Sequence, residues 1–409
     1  MTDDVPLLST VEAARRLGVK PATLYAYVSR GLLSRVRGAD GRASYFDPVE
    51  LDQMAHQPRT PAPGTGGGLV VRSTVSEVRE QRLWYRGRDA CEMARVDSFE
   101  TVAAWLWSEG RSQPLSFASP EEFVAAARSA SDGLPRDVRL LDRIRAIVAA
   151  IGAVDPLRAD LRPEAVMITA ATLIGALVDG LPRRGSDAGE GSVAQRLWGA
   201  LSSLPADPAA VTSLNTALGL LADHAVTAST LATRVAASAR AHPYAAVGAG
   251  LYTLDGPVES GTAALVHRTL AEAERDGSVA VVARLLDQNN QLPGFDHPLY
   301  PDGDPRGRTL IDVLAAEPPH RGRWEAVEQF LSTGGRGRPL APTIDFGVAA
   351  LTFTAGMPPD AGLAILAVAR CAGWVAHTLE EYGEDVDRFH VDRPQRRVTS
   401  GTNGRGSQP

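Results

Sequence analysis

A series of segments along the chain places apolar residues three and four positions apart: "SFETVAAWLWSEG", "PEEFVAAARSA", "DVRLLDRIRAIVAAIG", "PEAVMITAATLIGALVDG", "SVAQRLWGALSSL" and "GTAALVHRTLAEAERDG". That spacing gives a helix one apolar face, and prolines and glycines punctuate the text between the segments. Period-two signals are confined to "GLVVRSTVSEVREQRLWYRG", which reads as a small ribbon. The body is therefore expected to be all-α. No glycine-rich loop follows a strand, so a cradle for ATP or NAD has no support, and no internal repeat is evident.

At 409 residues the chain exceeds one ordinary core, which sets an expectation of roughly two or three domains. Hydrophobic content of 44% with 22% charged residues is that of a globular protein. A net charge of −6 argues against a protein that coats nucleic acid over its whole surface. Cys91 and Cys371 are too few for a disulfide framework or a zinc site, which fits a reducing cytosol. "MTDDVPLLST" lacks the apolar stretch of a signal peptide, and "AVMITAATLIGALV" is shorter than the ~20 residues of a membrane span. The expectation is a cytoplasmic protein with no membrane partner.

Residues 1–56 form a first zone. Ser9 and Glu12 in "STVEAARRLGV" fit a capping box, with Gly18 placed to stop the helix. Pro21 opens a second helix, "PATLYAYVSRG", ending at Gly31. Two short helices and a tight turn make a helix-turn-helix. "SRVRGADGRASYF" then reads as a hairpin turning at Gly38–Gly41, and "DPVELDQMAHQ" as a third helix. Between Arg15 and Arg42 the only acid is Asp40, against a cluster of bases that suits DNA phosphates. "STVEAARRLGVKPATLYAYVSRGLL" resembles the winged helix-turn-helix of MerR and excisionase-like proteins. DNA is the partner this implies for residues 1–56, with Tyr25, Tyr27, Arg30, Arg35 and Arg37 as contacts. The bland alternative is a small helical module with solvated arginines. Residues 57–68 are a Pro/Gly linker, and residues 69–409 are the body.

Polar islands interrupt the helical text of the body. They are "LADHAVTASTLATRVAAS" with His224, "LDGPVESGTAALV" with Glu259, "LPGFDHPLYPDGDPRG" (292–307) with His297 and Arg306, and "APTIDFGVAALT" with Asp345. Arginine forks match carboxylates, histidine donates hydrogen bonds, and aspartate takes protons, so rigid turns carrying these groups suit an anionic substrate. Each residue also has a structural reading, because Asp and His cap helices and fill turns.

From about residue 74 to 401 the chain resembles citrate synthase and the related 2-methylcitrate synthases. The resemblance is carried by "LWYRGRD" (83–89), "LADHAVTAST" (221–230), "PGFDHPLYPDGDPRG" (293–307), "IDFGVAALTFTAGMPPDA" (344–361) and "ARCAGWVAHTLE" (369–380), in that order. It implies a two-domain helical body, a large domain of about 69–225 and 335–409 and a small one of about 226–334, in a homodimer. It also implies condensation of acetyl-CoA or propionyl-CoA with oxaloacetate, with no metal and no tightly bound cofactor. By match, His297 polarises the ketone, His224, Arg306 and Arg370 bind oxaloacetate, and Asp345 removes the α-proton of the thioester. A last arginine, supplied by the partner subunit, matches Arg396 best, with Arg393 and Arg397 left open.

One matched position departs. The family's Gly-Pro-Leu-His-Gly-Gly turn reads "GPVESG" here, which puts Glu259 where a histidine donates to the thioester oxygen. An ionised glutamate has no proton to give, and losing one such donor costs ~3 kcal/mol of transition-state stabilisation. A glutamate kept protonated in a dry pocket would still donate. His267, eight helical residues on, is ~12 Å away along the axis. Two functions therefore stand side by side: a condensing enzyme, and a DNA-binding regulator whose body senses a dicarboxylate or an acyl-CoA.

Overall fold

The computed structural model describes residues 8–16, 33, 36–37, 44–48, 51, 71–111, 114–185, 191–256, 260–289, 292–335, 341–384 and 389. The chain divides into two compact units, Met1–Val70 and Val71–Pro409.

In the first unit the capping box forms as the sequence predicts. Ser9 N–H and Oγ donate to Glu12 at 2.9 and 2.7 Å, and Glu12 N–H donates back to Ser9 Oγ at 3.4 Å. This caps α1 (Thr10–Arg16). Strands β2 (Val36–Arg37) and β3 (Ser44–Phe46) pair antiparallel, and the turn expected at Gly38–Gly41 lies outside the described residues. Strand β1 (Leu8–Ser9) adds to the other edge of β3, a pairing no local pattern announces. Ala13, Ala14, Leu33, Phe46 and Leu51 form a small core under it. Tyr25, Tyr27, Arg30 and Arg35 lie outside the described residues, and Arg37 enters only as the backbone partner of Ser44.

The second unit opens with the expected ribbon: β4 (Ser76–Arg79), β5 (Arg82–Tyr85) and β6 (Arg88–Asp89), antiparallel in that order. Glu80 and Gln81 turn the first hairpin with φ of 51° and 57°, the left-handed pair that a two-residue hairpin loop requires. The other elements among the described residues of this unit are helices: α2 (Ala90–Val96), α3 (Phe99–Trp107), α4 (Glu121–Asp132), α5 (Leu140–Val154), α6 (Pro163–Asp179), α7 (Val193–Leu201), α8 (Pro208–Leu221), α9 (Ala228–Ser238), α10 (Pro243–Thr253), α11 (Thr262–Asp276), α12 (Ser278–Asn289), α13 (Pro305–Ala316), α14 (Arg321–Gly334), α15 (Ile344–Thr354) and α16 (Ala361–Tyr382). Their starts follow local chemistry. Ser98, Ser192 and Asp207 accept from the N–H groups three residues on, and Pro163, Pro208, Pro243 and Pro305 take the position where no N–H is needed.

Helix α16 is the axle of the body, packed against α3, α6, α8, α9 and α10. The 22 residues of α16 are long and apolar enough to cross a bilayer, yet most of that length is buried inside the unit. Its apolar character is that of a core helix.

Candidate active site

The His297 stretch is a turn laced to the start of another helix. Gly294 and Gly303 (φ 83° and 112°) and Asp296 (φ 60°) bend it. Thr343 donates to Gly294 O through its N–H at 2.9 Å and its Oγ1 at 3.1 Å, and the rings of Phe295 and Phe346 lie 4.9 Å apart. The turn ends at Asp304, the cap of α13. Its Oδ1 accepts from Arg306 N–H and Nε, both at 3.0 Å, and its Oδ2 accepts from Arg306 Nη2 and Ile344 N–H, both at 2.9 Å. One buried carboxylate thus fixes Arg306 and the first turn of α15, where Asp345 sits. Gly307 makes the approach possible: a Cβ there would lie 2.3 Å from Pro342 O.

Above Arg306 the two histidines meet. His224 and His297 have ring centroids 5.8 Å apart at a steep angle. Tyr300 joins them: its hydroxyl is 2.8 Å from His224 Nε2, and its ring lies 4.9 Å from His297 and 5.1 Å from the Arg306 guanidinium. Leu299 N–H donates to His297 Nδ1 at 3.1 Å, so the neutral ring carries its proton on Nε2 and is a hydrogen-bond donor there. Burial, then Arg306, lowers the pKa of His297. Burial, then Arg306, Arg370 and His297, holds His224 well below the usual histidine range. Both rings are therefore neutral near pH 7, and the site's positive charge comes from the two arginines.

Arg370 projects from the middle of α16 and is buried. Its Nε and Nη1 have no hydrogen-bond partner among the described residues. The nearest opposite charge is Asp223 Oδ1, 3.8 Å from Nη1 and beyond hydrogen-bond length. Donors left open on a buried cation are the feature a bound anion satisfies.

Asp345 lies in the first turn of α15 and lines an apolar pocket with Leu221, Ala264, Val348, Leu363 and Leu366. Burial raises its carboxyl pKa, against the pull of Arg306. That makes it a stronger base than an exposed aspartate. The groups together provide two cations for carboxylates, a neutral N–H donor for a carbonyl, and a base beside an apolar pocket. His267 stands apart, buried with Nδ1 2.9 Å from Thr352 Oγ1. Glu259 and Arg396 lie outside the described residues.

Comparison with known proteins gives this arrangement its setting. The sequence profile described as citrate synthase, C-terminal domain, matches residues 64–395. The chain belongs to the citrate synthase family. Citrate synthase 2 of Bacillus subtilis is 27% identical over 360 residues, covering 81% of this chain and 94% of that one. 2-Methylcitrate synthase 2 of Corynebacterium glutamicum is 28% identical over 348 residues, covering 78% and 90%. The same fold occurs in the citrate synthase of Thermoplasma acidophilum, in ternary complex with carboxymethyl coenzyme A and oxaloacetate, at a TM-score of 0.62 and 23% identity over 83% of this chain and 96% of that one. Residues 7–58 match a helix-turn-helix domain.

Several residues of this candidate site carry no motif of their own. Tyr300 stands inside the His297 stretch but reads as a turn residue. Asp304 carried a signal, an Asp before a Pro at the start of a helix, which marks a cap. Asp223 and His377 stand inside matched stretches, but nothing there announces that they meet each other and Ser76, which they do only in three dimensions.

Proposed function

We propose that this protein condenses an acyl-CoA with oxaloacetate and releases CoA. Arg306 and Arg370 bind the two carboxylates, with Tyr300 lying over Arg306 and holding His224 beside it. Asp345 takes a proton from the carbon next to the thioester carbonyl, and the enolate carbon attacks the ketone of oxaloacetate. His297 donates from Nε2 to that ketone oxygen as it gains charge. Water then cleaves the thioester. The observation that carries this reading is the pair of buried, open donors on Arg370, in a site where Nε2 of His297 is also a donor. Relatives named for citrate and for 2-methylcitrate support acetyl-CoA and propionyl-CoA as the acyl donors.

The reading extends to a cytoplasmic homodimer whose Arg396 reaches the partner's site, with a small lobe of about 226–334 closing over substrate and no tightly bound cofactor. The helix-turn-helix match and the capping box support DNA contact through residues 1–56, with Tyr25, Tyr27, Arg30, Arg35 and Arg37 at the groove. Salt-sensitive DNA binding lost on deleting residues 1–60 is the expected result.

The enzyme assay follows thiol release from acetyl-CoA or propionyl-CoA with oxaloacetate. Turnover by the wild type supports condensation. No turnover by the wild type, with turnover by Glu259→His, overturns it and makes the body a sensor attached to a DNA-binding module.

A further inference from the structure

Asp223 follows α8, one residue before His224, and is wholly buried. We propose that Asp223, clamped by Ser76 and His377, is the positioning residue that aims Arg370 at a substrate carboxylate while leaving its donors open. This rests on the reading of Arg370 as an oxaloacetate-binding group.

The two arginines of the site are held in opposite ways. Asp304 takes Nε and Nη2 of Arg306 at 3.0 and 2.9 Å, so that side of the fork is filled. Asp223 faces Arg370 at 3.8 Å, close enough to balance its charge in a dry interior and too far to take its protons. The gap is built. Asp223 Oδ2 accepts from Ser76 Oγ and from His377 Nε2 at 3.1 Å, which draws the carboxylate away from Arg370. Tyr85 grips the backbone of the same residue, accepting from Asp223 N–H at 3.2 Å. Gly373, one turn along α16 from Arg370, lets the helix press on this turn: a Cβ there would lie 2.4 Å from Asp223 Oδ1.

The clamp is itself oriented. His377 Nδ1 lies 3.0 Å from Nη1 of Arg234, a group that only donates, so Nδ1 accepts and Nε2–H donates to Asp223. Arg234 is buried and held by Glu380 and, at 2.9 Å, by Glu381. Ser76 has a second task. Its Oγ accepts at 2.8 Å from the N–H of Ala225, which sits at φ 55° immediately after His224. Ser76 and Asp223 thus set both the Arg370 fork and the turn that carries His224. Burial pushes the Asp223 carboxyl upward, but His377, Arg370 and Ser76 outweigh it and hold it below the ordinary value, so it is a permanent anion at neutral pH.

The test uses full-length protein and oxaloacetate binding by titration calorimetry, with KM for acyl-CoA and the melting temperature measured alongside. Arg370→Ala is the reference variant. Asp223→Asn keeps the shape but removes the charge and is expected to weaken oxaloacetate binding about 10-fold or more, the scale of a lost charged contact. KM for acyl-CoA should stay within about twofold, since the clamp faces the dicarboxylate side of the site. His377→Gln, which can still accept from Arg234 and donate to Asp223, should bind nearly as the wild type does, whereas His377→Leu should weaken binding in the manner of Asp223→Asn. That pair decides the matter if Asp223→Asn fails to fold. Weakening by Arg370→Ala but not by Asp223→Asn or His377→Leu overturns this inference alone. Equal loss in both His377 variants, or loss that tracks melting and raises KM for acyl-CoA equally, overturns it as a general destabilisation. No effect of Arg370→Ala overturns the assignment of Arg370 itself.

Discussion

The hydroxyl of Tyr300 and Nε2 of His224 lie 2.8 Å apart, and the same tyrosine ring covers the guanidinium of Arg306. Tyr300→Phe separates these two contacts, keeping the ring over Arg306 and deleting the hydrogen bond. His224 then has a buried nitrogen without its partner, at a cost of ~1–2 kcal/mol. The expected outcome is a rise of about 5- to 20-fold in KM for oxaloacetate, with kcat affected less. Steady-state kinetics with each substrate varied in turn checks it. An unchanged KM would mean that His224 is not held for substrate.

The pH profile has a definite sign. Asp345 must be ionised to take a proton, and burial raises its pKa, so kcat should fall as pH drops toward and through a value above the ordinary 3.8. His224 and His297 are lowered, and both stay neutral down to at least the ordinary histidine pKa of about 6.5. No histidine ionisation should therefore shape activity between about pH 7 and 8. Asp345→Asn should lower kcat by about two orders of magnitude or more and abolish the acid limb of the residual activity. A limb that survives in Asp345→Asn would assign it to another group.

The amphipathic helices were legible because one face meets water. Ser98 and Ser192 stand where caps belong, and the helices they start begin there. Helices α15 and α16 are buried nearly all round, which leaves little polar face to mark a period. The site divides in the same way. Residues 292–307 advertise a rigid polar turn through their prolines and glycines, whereas Asp223 and His377 lie 154 positions apart and meet through packing alone. Which donors stay open is likewise a tertiary fact. Nothing in "VARCAGW" distinguishes the free fork of Arg370 from the filled one of Arg306.

Gly307 tests how tightly the His297 turn is tied to Asp345. Its missing Cβ would meet Pro342 O at 2.3 Å and Thr343 O at 2.5 Å, both backbone atoms that cannot swing aside. Gly307→Ala must push α13 away from the start of α15, stretching the bonds from Asp304 to Ile344. Overpacking of this kind costs about 1–3 kcal/mol. Denaturant unfolding should show that loss, and kcat should fall further than stability predicts because Arg306 and Asp345 move apart. Equal kcat after correction for folded fraction would show that this junction does not set the catalytic geometry.

His267 gives a test of stability rather than catalysis. Thr352 Oγ1 donates to Ala349 O at 3.1 Å, so it accepts from Nδ1–H of a neutral His267 at 2.9 Å. Burial lowers the pKa of this histidine to about 4, with Arg323 and Arg268 adding to the effect. In the unfolded chain the ordinary value of about 6.5 applies. Below that value the unfolded state takes up a proton that the folded state refuses, so this contribution to stability is present above about pH 6.5 and is lost as pH falls toward 4. His267→Asn keeps a donor for Thr352 without a titrating ring. It should melt below the wild type at pH 7.5, where the smaller side chain packs less well against Phe353, whose ring lies 5.9 Å from that of His267. The gap should narrow by several degrees at about pH 5, since the wild type alone carries the protonation penalty there. Melting curves for both proteins across this range check the effect, and a constant gap would show that His267 protonates as readily in the folded protein as in the unfolded one.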